Sequence, residues 1–345
     1  MTSASLHLPV TTTAQRVVEK ERGEFAVKVF KKRAIDSVAK IESIATEAKV
    51  LRDISPHPNI VALIDVVIGT ESIFLVMEKA ALNLFQYVDS LFPARAQPRS
   101  VKEVAIAVTT ALDFMHTKGI SHMDIKLENI IIWGGAEMFN SRGAPRPLRR
   151  EDVKLCDFGL SCTRQSRTAP SIRGLVGTPG FFAPEMVDDA RPALGGASIG
   201  YSGIPADIWS AGCVVLELLV GADMFSERWT EVYNRACFGG GGDDSAAAPP
   251  SSPRRCPANA VEFVLDYAPL FIAEHREQIE SESPGASRFL VRALEGNPMK
   301  RATAQELLSG AWLNEKKEAV EASRRGEEQR FFHFLRSPRV HPCGC

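Results

Sequence analysis

The chain has 345 residues, 45% of them apolar and 24% charged, with a formal net charge of −1. That length suits about two domains of roughly 150 residues each. The charge balance leaves no whole-chain footprint for nucleic acid, and no run approaches the ~18 consecutive apolar residues of a membrane span. The seven cysteines include no Cys-x-x-Cys pair, and the first residues lack a basic-then-apolar leader. The expected setting is therefore reducing, cytoplasmic or otherwise intracellular.

In chain order, short apolar or alternating runs predict strands at 14–18 and 25–30, a helix at 34–54, then strands at 61–67 and 72–78. The helix carries Ile35, Val38, Ile41, Ile44, Ala48 and Leu51 at helical spacing, which gives it one face to bury against a small sheet. From residue 101 onward helical patterns dominate, most clearly at 101–118, 206–220, 289–294 and 302–308. The expected fold is α+β and bilobal. A small antiparallel-sheet lobe with one main helix covers 1–79, and a larger, mainly helical lobe covers 80–313. Stretches 133–150 and 239–257 lack periodicity and read as surface insertions. Residues 314–345 form a charged tail, in which Phe331 to Leu335, flanked by Arg330, Arg336 and Arg339, reads as a docking element for a regulatory partner or else as a helix packed on the chain's own surface or a disordered end.

Three short motifs follow one another: His122-Met123-Asp124-Ile125-Lys126-Leu127-Glu128-Asn129, then Asp157-Phe158-Gly159, then Ala183-Pro184-Glu185. Each alone is weak, since Asp-Phe-Gly also describes an ordinary turn after a strand. Upstream, Phe25-Ala26-Val27-Lys28-Val29 sets a lysine in an apolar strand, where an unpaired charge is costly. Glu47, on the helix that follows, is a candidate partner. Asn129 and Asp157 offer hard oxygen donors of the kind magnesium takes when it bridges phosphates.

As an ordered set these motifs resemble the catalytic core of the protein kinase superfamily, over a span from about Ala14 to Trp312, and Lys126 with Gly177-Thr178-Pro179 resembles its serine/threonine branch. The resemblance implies an ATP- and Mg2+-dependent transfer of the γ-phosphoryl group to serine and threonine hydroxyls of protein substrates. It gives Asp124 the acceptor's proton, Lys126 the transferring phosphate, Asn129 and Asp157 the metal, and Thr178 a bond to Asp124 and Lys126. It sets Lys28 on the α- and β-phosphates with Glu47 holding it. Met77 becomes the gatekeeper beside the adenine, and backbone groups of Glu78 and Ala80 meet the ring's edge. Ala26 and Ile131 flank its faces, with Leu84 beneath. Leu51, Leu63, His122 and Phe158 match the apolar column that couples the lobes near Asp207, and Arg301 matches the buried partner of Glu185.

Two departures stand out. Met123 occupies the place of an arginine that clamps a phosphorylated activation loop, which predicts activity independent of phosphorylation at Ser161, Thr163, Ser166, Thr168 or Ser171. No glycine precedes Gly23, so the loop whose backbone amides approach the phosphates is degenerate or truncated. The alternative to an enzyme is a pseudokinase acting as a scaffold or regulatory binding protein. Cys156, next to Asp157, is either a pocket thiol open to electrophiles or a buried and inert one.

Overall fold

The computed structural model describes residues 13–19, 23–91, 96–134, 139, 145–164, 168, 172–189, 200–230 and 260–314. The segment searched for a glycine-rich loop, the 239–257 insertion and the tail with Phe331 to Leu335 lie outside the described residues. Strands β1 (Thr13–Glu19), β2 (Gly23–Lys31), β3 (Leu63–Ile68) and β4 (Ser72–Glu78) form one antiparallel sheet in the order β1-β2-β4-β3. The register sets Ala26 opposite Met77 and Lys28 opposite Leu75. Side chains two apart share a face of a strand, so Ala26 and Lys28 point the same way.

Helix α1 (Val38–Ile54) lies against this sheet and buries Ile44, Glu47, Ala48 and Leu51. Ile44 and Ala48 join Phe30 and Leu75 in a small core of their own. The spacing of apolar residues predicts a start at 34, but residues 32–34 make a single 3₁₀ turn and the Ser37 side chain caps the helix by accepting from the Lys40 amide. The cap satisfies one of the first orphan amides and fixes the boundary that periodicity alone leaves open.

The second lobe is built around α3 (Pro98–Thr117) and α5 (Gly203–Val220), which pack on each other and bury most of their residues. α5 is long and apolar enough to cross a bilayer, with mean hydropathy 1.6, yet 89% of it is buried inside the molecule, so it serves as the core helix of this lobe. Asp207 and Glu217 interrupt the apolar stretch, so the sequence holds no unbroken apolar run of that length. Strands β5 (Leu82–Asn83), β6 (Ile130–Ile132) and β7 (Val153–Leu155) make a small antiparallel sheet. Helix α2 (Leu84–Ser90) follows β5 with Asn83 as its cap.

Residues 133–150 are only in part a surface insertion. The Arg146 guanidinium donates to both oxygens of Asp152, Tyr87 donates its hydroxyl hydrogen to the Arg146 carbonyl, and the Leu148 amide donates to Ser100 Oγ on α3. Leu148 is 1% exposed. One leucine among Pro, Gly and Arg gives no periodicity, so this docking is invisible to a pattern search although it closes the lobe beneath β7.

Candidate active site

The loop between α3 and β6 is shaped by one buried carboxylate. Asp207 of α5, 1% exposed, accepts the His122 and Met123 amides at 2.8 Å each and lies 2.9 Å from His116 Nε2. Met123 has φ 72°, a left-handed conformation that costs a β-carbon residue about 1 kcal/mol or more. Two charge-assisted bonds offset that cost and turn the chain so that Asp124 leaves the core. His122 accepts the Asp124 amide at Nδ1 (3.2 Å), so its proton sits on Nε2, which donates to the Cys156 carbonyl at 3.0 Å. Its ring meets Phe158 edge-on at 4.8 Å. The two residues thus fasten the His122-to-Asn129 loop to the Asp157-Phe158-Gly159 turn.

Around Asp124 three side chains converge. Thr178 donates its hydroxyl to Asp124 Oδ1 at 2.6 Å, and Lys126 Nζ donates to Thr178 Oγ1 at 2.7 Å while lying 3.1 Å from Asp124 Oδ2. Asn129 donates its amide to the Asp124 carbonyl and to Oδ2, at 2.9 and 2.8 Å. The group Asn129 has left for a cation is therefore its side-chain carbonyl. The activation segment reaches Thr178 by passing close over the loop: Gly177 has φ 108°, and a β-carbon there would stand 2.4 Å from the Met123 carbonyl oxygen.

The second cluster joins the lobes. Lys28 Nζ donates to Glu47 Oε1 and Oε2 at 2.8 and 2.9 Å and to Asp157 Oδ1 at 2.8 Å. Burial works to lower the Lys28 pKa, but the two carboxylates outweigh it and the net direction is up. Glu47 is pushed up by its burial. For Asp157 burial works upward, and Lys28 with the other donors prevails, so its carboxylate is held below the usual range and stays ionised. Asp157 has φ 63°. The turn it begins is tied to α1 by Ser43, which donates its hydroxyl to the Gly159 carbonyl at 2.6 Å.

The remaining nucleotide candidates differ in burial and in their partners. Ala26 and Met77 face each other across β2 and β4, both half-buried. Ile131 is half-buried between the fully buried Ile130 and Ile132, whereas Leu84 is wholly buried at the start of α2. Ala80, half-buried, lies between β4 and β5. The Glu78 side chain is engaged elsewhere: Oε1 accepts the Ala62 amide at 2.8 Å and Lys154 Nζ at 2.7 Å. Sequence reasoning missed Lys154 and Ser43, whose only signals are a polar residue inside an apolar strand and a serine on the helix face bearing Glu47.

Met123 is 5% exposed. It lines a small cleft of about 10 Å³ together with apolar residues such as Val176, Phe182 and Met186 and with the polar Asp124, Thr178, Asp207 and Ser210. Gly203 lets it pack there, since a β-carbon at that position would lie 2.5 Å from Met123 Sδ and 2.2 Å from Ser121 Oγ. Of the five activation-segment hydroxyls named above, Ser161 is 6% exposed, and Ser166 and Ser171 lie outside the described residues. Cys156 is half-buried beside Asp157, and burial pushes its thiol up to about 12, which disfavours the thiolate that electrophiles attack.

A family model described as "Protein kinase domain" matches residues 11–313. This chain belongs to the protein kinase family. It is 27% identical over 300 residues to CBL-interacting serine/threonine-protein kinase 26 of Arabidopsis thaliana, covering 86% of this chain and 54% of that one. It is 29% identical over 230 residues to the phosphorylase b kinase gamma catalytic chain, liver/testis isoform, of Mus musculus, covering 64% and 50%. The chain spans about half the length of these curated relatives, the first of which is named a serine/threonine-protein kinase. Among solved structures, a chain of the CAK complex of Chaetomium thermophilum bound to ATP-gamma-S matches with TM-score 0.60 and 21% identity, covering 89% of this chain and 88% of that one. That likeness carries the bilobal kinase fold.

Proposed function

We propose that this kinase moves the γ-phosphoryl group of ATP to serine or threonine hydroxyls of protein substrates, with Mg2+ as the metal. The observation that carries the reading is the connected pair of clusters: Asp124, Lys126, Asn129 and Thr178 on one side, and Lys28, Glu47 and Asp157 on the other, all within hydrogen-bond distance of a neighbour. The donor set fits the metal. Asp157 is ionised and half-exposed, with one oxygen on Lys28, and Asn129 offers a carbonyl; both are hard oxygen donors. When bound, Mg2+ neutralises charge on the phosphates.

The chain's own residues do the rest. Asp124 orients the acceptor hydroxyl and takes its proton at the carboxylate that Thr178 now occupies. Lys126, between Asp124 and Thr178, supplies positive charge where the transferring group passes. Lys28 holds phosphate oxygens while Glu47 keeps it in the cleft. Because Met123 is packed among apolar side chains, it makes no use of a phosphate on the activation segment, and turnover is independent of phosphorylation there.

Transfer of labelled phosphate to a generic serine/threonine substrate tests this reading. The unmodified chain is expected to transfer, and Asp124→Asn and Asp157→Ala each to lower the rate ~10²–10⁴-fold. Absent transfer by folded, unmodified protein would leave the chain a pseudokinase. Phosphatase treatment is expected to leave the rate within about twofold.

A further inference from the structure

The activation segment is held at a second place, away from both clusters, by contacts the sequence does not announce. Helix α4 (Pro184–Asp189) carries Glu185, paired to the buried Arg301, in its first turn and ends with Asp189. Asp189 Oδ2 accepts the Gly174 amide and Oδ1 accepts the Gly200 amide, each at 2.7 Å. Just outside these two glycines the chain closes an antiparallel bridge: the Ile172 amide donates to the Tyr201 carbonyl at 3.1 Å, and the Tyr201 amide donates back to the Ile172 carbonyl at 2.9 Å. The Tyr201 hydroxyl donates to the Gly174 carbonyl at 2.8 Å, and burial of the phenol pushes its pKa up, so it keeps that proton.

The placement matters in two directions. Gly174 precedes Thr178 by one turn of chain, and the residues between, Leu175 to Gly177, run over the Met123 carbonyl into the Asp124 cluster. Tyr201 leads straight through Ser202, the cap of α5, into the helix whose Asp207 shapes the catalytic loop. One carboxylate therefore joins the segment that presents Thr178 to the base of the helix that presents Asp124. An acid at the last position of a helix faces the negative end of its dipole. Two short amide bonds offset that disadvantage, and charge-assisted bonds of this kind are about twice as strong as neutral ones.

We propose that Asp189 is a positioning residue for acceptor binding: it fixes the activation segment in its substrate-receiving form without a phosphate, the role left open by Met123. This rests on the kinase reading above, and the test separates the two. Wild-type transfer is measured first, and its absence sinks the kinase reading alone. Amide hydrogen exchange is then compared for the full-length wild type, Asp189→Ala and Asp189→Asn. Asp189→Ala is expected to lose protection at Gly174 and Gly200 by roughly tenfold or more, the loss of one charge-assisted bond or better. Its KM for the protein substrate is expected to rise about tenfold while its KM for ATP stays within about twofold. Asp189→Asn keeps one carbonyl acceptor and is expected to recover part of both losses. Unchanged protection in Asp189→Ala overturns the assignment, as does an equal rise in the two KM values together with a lower melting temperature, which would mark a merely structural acid.

Discussion

Glu185 and Glu47 each grip a cation with both oxygens, and the two pairs serve opposite ends. Arg301, 0% exposed, donates to Glu185 Oε1 and Oε2 at 2.6 and 2.9 Å, and its remaining N–H groups reach the carbonyls of Pro205, Glu295 and Gly296. All five donors of the planar fork have acceptors, and the Trp209 ring lies 5.2 Å away. Lys28 keeps 18% of its side chain exposed and divides three rotatable donors between Glu47 and Asp157. A saturated guanidinium can only hold its place, whereas an ammonium on a flexible stem can exchange one carboxylate for a phosphate oxygen. The first pair is scaffold and the second is open to a ligand.

The largest way to break this contrast is Arg301→Leu. Removing the cation leaves Glu185 partly buried without it, at ~3–5 kcal/mol of stability, read as a shift in the urea midpoint. Arg301→Lys is expected to recover little, since three donors on a rotating head cannot serve acceptors arranged for a fork. Next comes Lys28→Met. Here the stability loss is expected to stay under about 2 kcal/mol, because Glu47, already pushed up by burial, can take a proton. Turnover is expected to fall ~10²–10³-fold, the range for removing one preorganised charge. The sign with pH follows: a carboxyl raised in the folded state favours folding while protonated, so Lys28→Met loses stability as pH rises from mildly acidic values. A variant as unstable as Arg301→Leu would erase the distinction between scaffold and site.

The same contrast explains what the sequence displays. The Lys28-to-Glu47 interval, Asp124, Asn129 and Asp157 are side chains whose chemistry demands one residue type at a fixed spacing, and the structure brings them within 3 Å of each other or of shared partners. The bilobal α+β fold is legible for a similar reason, since strand and helix periods differ. Asp189 is not legible, because its partners are backbone amides of Gly174 and Gly200, and any residue type supplies an amide. The docking of Arg146 and Leu148 is hidden because one apolar residue makes no period.

Glu217 supplies a third glutamate that sharpens the comparison, since it forms no ion pair among the described residues. Burial first, and then the nearby Glu128 charge, push its pKa up to about 8. The sign is that of any raised acid: the unfolded chain releases the proton from about 4.5 upward and the folded chain holds it until about 8. Stability is full below the lower value and lost as pH rises through the upper one, with a slope of up to about 1.4 kcal/mol per pH unit in between. Glu217→Gln is expected to flatten that slope in urea unfolding at pH 5, 6, 7 and 8. A slope unchanged by the substitution would assign the linkage to another group.

The smallest effect belongs to a pair of intermediate character, Glu78 with Lys154. Both side chains are about 13–14% exposed, so water reaches them and screens part of their attraction. The pair lies between the two kinds already compared. Glu78 ends β4 and Lys154 is central in β7, so it joins the sheets of the two lobes, as the contact of Lys28 with Asp157 joins the lobes. Yet Glu78 keeps the Ala62 amide as a second partner, and Lys154 lies 5.3 Å from the Trp133 ring, so neither side chain is free to exchange onto a ligand. If available donors make a site, this pair should behave as scaffold despite crossing the cleft. A double-mutant cycle of Glu78→Gln and Lys154→Met is expected to give a coupling of about 1 kcal/mol in stability, with turnover within about threefold of wild type. A tenfold loss of turnover at unchanged stability would show that joining the lobes, rather than holding an exchangeable cation, is what separates the working pairs from the structural ones.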